Sequence, residues 1–274
     1  MSESAGEDVE VTADGLIELR TQSPLARRLG IDASLDRLFV TEAGRRLALM
    51  ASALDPVYEP YNLVRYKWFG ERLVEWASYH QILVLGVGYD TRALAFPADA
   101  HRRVFEIDRP RVLASKRRVL AAHGINVPSE LSFVAADLSV DPLPQALARS
   151  GFDRQVTSAV LAEGVTFFLP ATAVLEIIDP SRLGLASGSV AAFDLWTADR
   201  IRSLNAKLVE RTGKPLFGDT PFGNSADEIG AGLRAVGYAQ VSVRSIGALL
   251  RDYGVEAAED PLGESWFVVT ARVP

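Results

Sequence analysis

Four places in the chain put chemistry-bearing residues where an apolar run ends. The stretch ILVLGVGYDTRALAF, residues 82–96, leaves its apolar run through Gly86 and Gly88. Residues without a Cβ let a chain turn sharply and let a ligand lie against bare backbone. RVFEIDRP follows with Glu106 and Asp108, about twenty residues past the glycines, the separation at which a carboxylate in an open α/β sheet accepts hydrogen bonds from ribose hydroxyls. FVAADL then offers Asp137, suited to accept from the exocyclic amine of an adenine, beside the backbone N–H of Leu138. In LAEGVTFFLP, Glu163 is an acid in apolar surroundings, and a buried carboxylate demands a cation or an ammonium.

Each of these residues also has a plainer use. A Gly-x-Gly after a buried strand serves as a tight turn, Glu106 serves as partner to a cation such as Arg92, and Asp137 serves as a helix N-cap. Two acids two apart on a strand share a face, so the terminal one, Asp108, takes the ribose task. A nucleoside-bearing ligand leaves two candidates, a nicotinamide dinucleotide and S-adenosyl-L-methionine. The dinucleotide fingerprint requires a third glycine for close packing beneath a pyrophosphate, and GVGYDT carries Thr91 there. The turn therefore favours S-adenosyl-L-methionine.

The elements that position these residues follow from a change of pattern near residue 80. Before it, SLDRLFVTEAGRRLALMASAL and EPYNLVRYKWFGERLVEWAS carry apolar residues at three- and four-residue spacing and predict helices. After it, ILVLG, RVFEI, LSFVAA, VTSAVLAEG, SVAAFDL, AQVSVRSI and WFVVTARV predict seven strands. The first five are separated by segments long enough for crossover helices, which implies a largely parallel sheet covered on both faces. The last two, Ala239 to Ile246 and Trp266 to Val273, are joined without a clear helical period and are expected to pair antiparallel. TGKPLFGDTPFGN, residues 212–224, reads as a loop over the sheet.

Composition narrows the partners. The chain has 274 residues, 48% hydrophobic and 23% charged, with a net charge of −6 and no cysteine. The acidic balance gives no footprint for nucleic acid or an anionic membrane. Without thiolates and with three histidines, no metal site is expected. No run reaches the apolar length of a membrane span, and the start, MSESAGEDVEVTADG, is acidic and polar where a signal peptide is basic and then apolar. A cytoplasmic protein with a frayed N-terminus and a small-molecule substrate is the expectation.

VLGVGYDTRAL, VFEIDRP, AADL and AEGVTFFLP, in this order and at these separations, resemble the leucine carboxyl methyltransferase family of S-adenosyl-L-methionine-dependent enzymes, which includes carboxyl methyltransferases of bacterial aromatic polyketide pathways of the tetracenomycin type. The resemblance implies an α/β fold, a Rossmann-like seven-stranded class I methyltransferase sheet with an N-terminal helical cover. One unit over 1–274 is expected, with the cover at 1–78, the core at 79–274 and a lid-like insertion near 196–224. It further implies that Gly86 and Gly88 line the cofactor, Asp108 binds ribose, Asp137 and Leu138 hold adenine, and Glu163 faces the cofactor's amino-acid part. Arg65 falls where the family places an arginine that meets the cofactor carboxylate; its plainer use is a surface charge on an amphipathic helix. Phe168 stands where the family commonly has Tyr, and the lysine that some members carry near the N-terminus has no equivalent.

Methyl transfer from a sulfonium is an in-line displacement that needs alignment and exclusion of water. A carboxylate acceptor is already ionised at neutral pH, whereas a phenol gains from a general base. His80, His101 and His123 fall at the amino-terminal edge of the sheet or at outer helix ends, so no base is assigned and a carboxylate acceptor is favoured. A phenol or hydroxyl acceptor, or a homologue that binds the cofactor without transferring methyl, are the alternatives. Lys67, Phe167 and Phe168 are the expected substrate wall, enclosing a planar acid and anchoring its charge; the alternative is that the aromatics are core.

Overall fold

The computed structural model describes residues 3–95 and 101–274, with side chains from residue 13 onward in those spans. Met1, Ser2 and Phe96 lie outside them. The N-terminus, expected to fray, is helical from its third residue. Four helices come first: α1 (Glu3–Gln22), α2 (Pro24–Arg28), α3 (Glu42–Leu54) and α4 (Tyr58–Glu75). The alternating part follows as β1 (Gln81–Leu85), β2 (Arg103–Asp108), α5 (Pro110–Ala122), β3 (Leu131–Ala135), α6 (Leu143–Arg149) and β4 (Ser158–Ala162). It continues with α7 (Ala171–Ile178), α8 (Pro180–Leu183), β5 (Val190–Trp196), α9 (Ala198–Thr212), α10 (Ala226–Ala235), β6 (Gln240–Ser245), α11 (Ile246–Asp252) and β7 (Trp266–Arg272).

All seven expected strands form one sheet in the order β3-β2-β1-β4-β5-β7-β6. β1 to β5 are mutually parallel, and β7 runs antiparallel to both β5 and β6. Strand order reverses between β1 and β4, where an open α/β sheet forms its ligand crevice. The period of two sorts each strand onto two cores. Leu83, Leu85, Phe105, Ile107 and Val160 pack with Leu147 of α6, Val174 of α7 and Leu233 of α10. Ile82, Val104, Leu161, Ala192 and Val268 pack with Trp68, Phe69 and Leu73 of α4 and Leu249 of α11. The same alternation turns Glu106 and Asp194 toward α4.

α4 lies between the sheet and α1, so it buries far more than one stripe: Tyr61, Asn62, Leu63, Val64, Arg65, Tyr66, Trp68, Phe69 and Leu73. Pro60 sits in its first turn, where the missing N–H has no helical partner to lose. α1 crosses α3 at close range, because a Cβ on Gly44 would stand 2.7 Å from the Asp14 carbonyl oxygen. Thr41 caps α3 by accepting from Gly44 N and donates its own hydroxyl to Asp14.

Two features differ from the sequence expectation. The connection between β6 and β7, read as lacking a helix, contains α11, seven residues capped by the Ser245 hydroxyl accepting from Ala248 N. So short a helix shows too few turns for its period to register. The region near 196–224 begins with α9, and its loop is bonded to backbone beneath it: Gly218 N donates to Phe167 O at 2.9 Å and Asp219 N to Leu169 O at 3.0 Å.

Arg200 of α9 joins distant parts of the chain. Fully buried, it donates to Asp55 at 2.5 Å, to Asp260 at 3.0 Å and to the Ser265 hydroxyl at 3.1 Å. Arg200→Ala strands two acids and is expected to cost about 3–5 kcal/mol. Urea denaturation should show the midpoint falling with the slope unchanged; an unchanged midpoint would contradict the anchoring role.

Candidate functional site

The glycine turn is built by its neighbours. Gly86 N and Val87 N both donate to Ile107 O, drawing the turn onto the end of β2. Gly86 has φ +64° and Gly88 φ +53°. A Cβ on Gly86 would come 2.6 Å from Val165 Cγ2, so this glycine lets the chain after β4 close against the turn. Gly88 is different. Among the described residues, Ala13 of α1 lies 3.4 Å from the point its Cβ would occupy, so α1 passes over bare backbone there. Asp108 supports the turn from below: Oδ2 accepts from Gly88 N and Oδ1 from Arg109 N, each at 2.7 Å. Burial pushes its carboxyl up, and those two N–H groups pull it partly back.

Beyond the turn, a chain of ion pairs runs across the crevice. Arg92 pairs with Asp90, donates to Tyr66 O at 2.9 Å and reaches Glu163 at 2.5 Å. Glu163 also accepts from Arg65 Nε at 3.2 Å. Arg65 in turn donates to Asp194 at 3.2 Å. Asp194, at the end of β5, accepts as well from Gly164 N at 2.7 Å and Trp266 Nε1 at 3.2 Å. Burial pushes the Asp194 carboxyl up to about 6 despite Arg65. Burial acts on Asp90 too, but Arg92 and Arg20 outweigh it and hold that carboxyl at about 2. Arg20 of α1 is held by Asp36 at 2.6 Å, and Asp36 also accepts from the Thr91 hydroxyl at 2.7 Å. Both Arg20 and Arg92 lie over the Tyr66 ring, at 4.5 Å and 3.9 Å.

Glu106 finds a cation other than the one expected. Lys116 of α5, fully buried, donates to Glu106 at 2.6 Å and to Asp90 O at 2.5 Å, while Arg92 is taken by Asp90 and Glu163. Arg92 is committed to Asp90 and Glu163, and Lys116, which also bonds the turn at Asp90 O, takes Glu106. Two clefts flank the chain of pairs. One, enclosing about 300 Å³ with its open mouth included, is lined by residues such as Asp90, Arg92, Glu106, Glu163 and Phe69. The other, about 180 Å³, is lined by Leu16, Arg20, Arg65, Tyr66 and Glu163 among others. Glu163 belongs to both.

The structure thus brings together Gly86, Gly88, Asp108, Arg65 and Glu163 around one crevice, and Arg65 is a buried pairing residue and not a surface charge. Asp137 caps no helix; its Oδ1 accepts from the Ser139 N–H and hydroxyl in a tight turn after β3, with Leu138 buried beside it. Lys67 lines neither cleft and pairs with Glu71 at 3.5 Å on the outer side of α4. Phe167 is stacked on Trp196 at 3.9 Å and is core, whereas half-buried Phe168 meets Phe217 at 5.4 Å. His80 and His123 are exposed, each with its Nδ1 against a backbone carbonyl, of His101 and Val119 respectively. Asp90 and Asp194, which help organise the crevice, carried no assigned role in the sequence, and Arg92 only that of a partner to Glu106; Asp90 and Arg92 were signalled by the DTR after the glycines, Asp194 only by being an acid inside an apolar strand.

A leucine carboxyl methyltransferase family profile matches residues 7–181. A relative from Mycobacterium tuberculosis is 32% identical over 96% of this chain and 92% of its own length, and one from Mycobacterium avium is 28% identical over 94% and 88%. A Mycobacterium bovis relative is 45% identical over 111 residues, 40% of this chain and 36% of its own length. All three are named provisionally as S-adenosyl-L-methionine-dependent methyltransferases. A provisionally described methyltransferase from Thermobifida fusca matches the fold with a TM-score of 0.62 at 18% identity, covering 95% of this chain and 94% of its own. A DUF574 family protein from Streptomyces avermitilis matches with 0.55 at 15% identity, over 93% and 100%.

Because burial raises the Asp194 carboxyl to about 6, the folded state favours its protonated form. That contribution is present below the ordinary carboxylate range and is lost as pH rises toward 6. The stability of Asp194→Asn relative to the parent should therefore improve by about 1–3 kcal/mol between pH 4 and pH 7, measured by denaturant unfolding at both pH values. A difference that stays constant would contradict the assignment.

Proposed function

Because the chain belongs to the leucine carboxyl methyltransferase family, we propose that it is an S-adenosyl-L-methionine-dependent O-methyltransferase converting a small-molecule carboxylate, of the aromatic polyketide type, to its methyl ester. The observation that carries this reading is the Arg65–Glu163 pair at the end of β4, across from the glycine turn. A guanidinium and a carboxylate side by side match the α-carboxylate and α-ammonium of an amino acid.

The residues present fit the cofactor. Gly88 leaves backbone bare over which a side chain would otherwise project. Asp108 spends one lone pair of each oxygen on the turn, and a carboxylate has two more for a ribose diol. Asp137, with Oδ1 engaged by Ser139, turns its other oxygen and the Leu138 N–H to adenine in this reading. When bound, the cofactor supplies a methyl group on a sulfonium, a leaving group that needs no acid. Entry requires α1 to move, since Ala13 roofs Gly88 and Leu16 and Arg20 wall the second cleft. The same helix then excludes water. Phe168 and Phe217 are the aromatic edge offered to a planar substrate, and Lys67, held by Glu71, is replaced as charge anchor by the guanidiniums of the crevice.

The acceptor follows from where protons can go. The Asp194 carboxyl, at about 6, is the base-like group near the crevice, but its oxygens are filled by Gly164, Arg65 and Trp266 and it is fully buried. A phenol could not pass its proton to that filled carboxyl, whereas a carboxylate has no proton to lose.

Calorimetry should show binding of S-adenosyl-L-methionine and no binding of NAD, and the protein incubated with cofactor and aromatic acids should yield a product that releases methanol in mild base. At saturating cofactor the rate should stay nearly flat from about pH 6 to 9. A base-stable methyl group, or a rate climbing tenfold per pH unit, would make a phenol the acceptor. NAD binding without sulfonium binding would overturn the cofactor.

A further inference from the structure

Resting on that reading and going beyond it, we propose that the chain Asp90–Arg92–Glu163–Arg65–Asp194 is a site short of one positive charge, which the cofactor's sulfonium supplies, so that the protein tells the methylated cofactor from its demethylated product by charge.

The count is local and buried. Three carboxylates face two guanidiniums, and the contacts run without a gap from Asp90 through Arg92, Glu163 and Arg65 to Asp194. The surrounding cations have acids of their own. Arg20 is held by Asp36, Lys116 by Glu106, Lys67 by Glu71, and Arg200 by Asp55 and Asp260. Asp194 meets Arg65 from α4, Glu163 and the Gly164 N–H from the turn after β4, and the Trp266 indole N–H from β7. The Trp266 ring has a second guanidinium near it, that of Arg200, at 5.4 Å, already committed to its two acids. Tyr58, at the start of α4, is partly buried, and burial raises its phenol to about 12, so it carries no charge here. Among the described residues no cation besides Arg65 is bonded to Asp194, and burial, with a smaller push from Glu163, holds its carboxyl up to about 6 despite Arg65.

Two orphaned oxygens point to an occupant. The Tyr66 hydroxyl, on a side chain 6% exposed, has no hydrogen-bond partner among the described residues, and Tyr66 lines the cleft it shares with Arg65 and Glu163. Glu106 Oε1, on a fully buried side chain, is likewise without a partner, and Glu106 lines the cleft on the other side of Glu163. Each cleft therefore holds an unsatisfied polar atom beside the unbalanced chain, a hydroxyl in one and a carboxylate oxygen in the other, as the site of a hydrogen-bonding ligand would. The cofactor's amino-acid end is a zwitterion before and after transfer. Only the sulfonium distinguishes it from the product: the methyl carbon leaves with its bond forming to the acceptor oxygen, the sulfur keeps the electron pair, and the sulfonium charge and the acceptor's negative charge vanish together. The product complex is left with the extra negative charge of the chain uncompensated, which favours release.

Titration calorimetry with S-adenosyl-L-methionine and, separately, S-adenosyl-L-homocysteine, from pH 5 to 8, tests this. The preference for the sulfonium should grow by about tenfold as Asp194 ionises, and sulfonium binding at pH 6, compared in buffers of different ionisation enthalpy, should release protons where thioether binding does not. Asp194→Asn, whose amide oxygen still accepts from Gly164, should bind both ligands with a ratio independent of pH. Affinities that track each other at every pH would overturn the inference and leave the proposed function standing, as would a pH-dependent ratio that survives in Asp194→Asn for the role of Asp194. Failure of both ligands to bind would overturn the proposed function itself.

Discussion

Taking a charge out of water costs several kcal/mol unless another charge meets it, and the crevice between β1 and β4 is organised by that demand. Glu163 leaves β4 among apolar residues and is met from two sides, by Arg65 on α4 and Arg92 after the glycine turn. Meeting it fixes both arginines. Arg65 is then shared with Asp194, and Arg92 with Asp90. Helix, turn and strand ends that are distant in sequence are held at one spacing by this single acid, and the two clefts open on either side of it. The N-terminal cover matters for the same reason: charges of this kind interact strongly only under a roof that keeps water out.

The backbone makes a matching economy at the nucleoside end. Asp108 takes the Gly88 N–H and so holds the glycine turn in its left-handed conformation while keeping acceptor capacity. Lys116 fills the space beneath, bonding Asp90 O and Glu106 at once. A buried lysine tied both to a strand acid and to a turn carbonyl makes the turn rigid before any ligand arrives, and preorganisation of this sort spares the ordering cost at binding.

Much of this was legible in the sequence because it depends on local rules. The seven strands announce themselves by short apolar runs, and Gly86, Gly88, Asp108 and Glu163 by standing where those runs end. Arg65 needed a resemblance, since a lone arginine on an amphipathic helix reads as solvated. What stayed hidden depends on distance along the chain. Asp194 sits in SVAAFDL as one acid in a strand, and its partner Arg65 is 129 residues away; no spacing rule reaches that far. Glu106 was legible as a paired acid, but the choice of Lys116 over Arg92 depends on Arg92 being taken by Asp90 and Glu163, residues whose approach no local pattern shows. Lys67 shows the opposite error: Glu71 four residues on already marked a surface pair.

The account stands on the Arg65–Glu163 pair being the seat of the cofactor's amino-acid end. A crystal structure of the protein with S-adenosyl-L-methionine tests that most directly. The account predicts density for the amino-acid end between Arg65 and Glu163, with their direct 3.2 Å contact replaced by contacts to the ligand and α1 displaced from Gly88. A ligand bound elsewhere, with the Arg65–Glu163 contact and α1 unchanged, would contradict it.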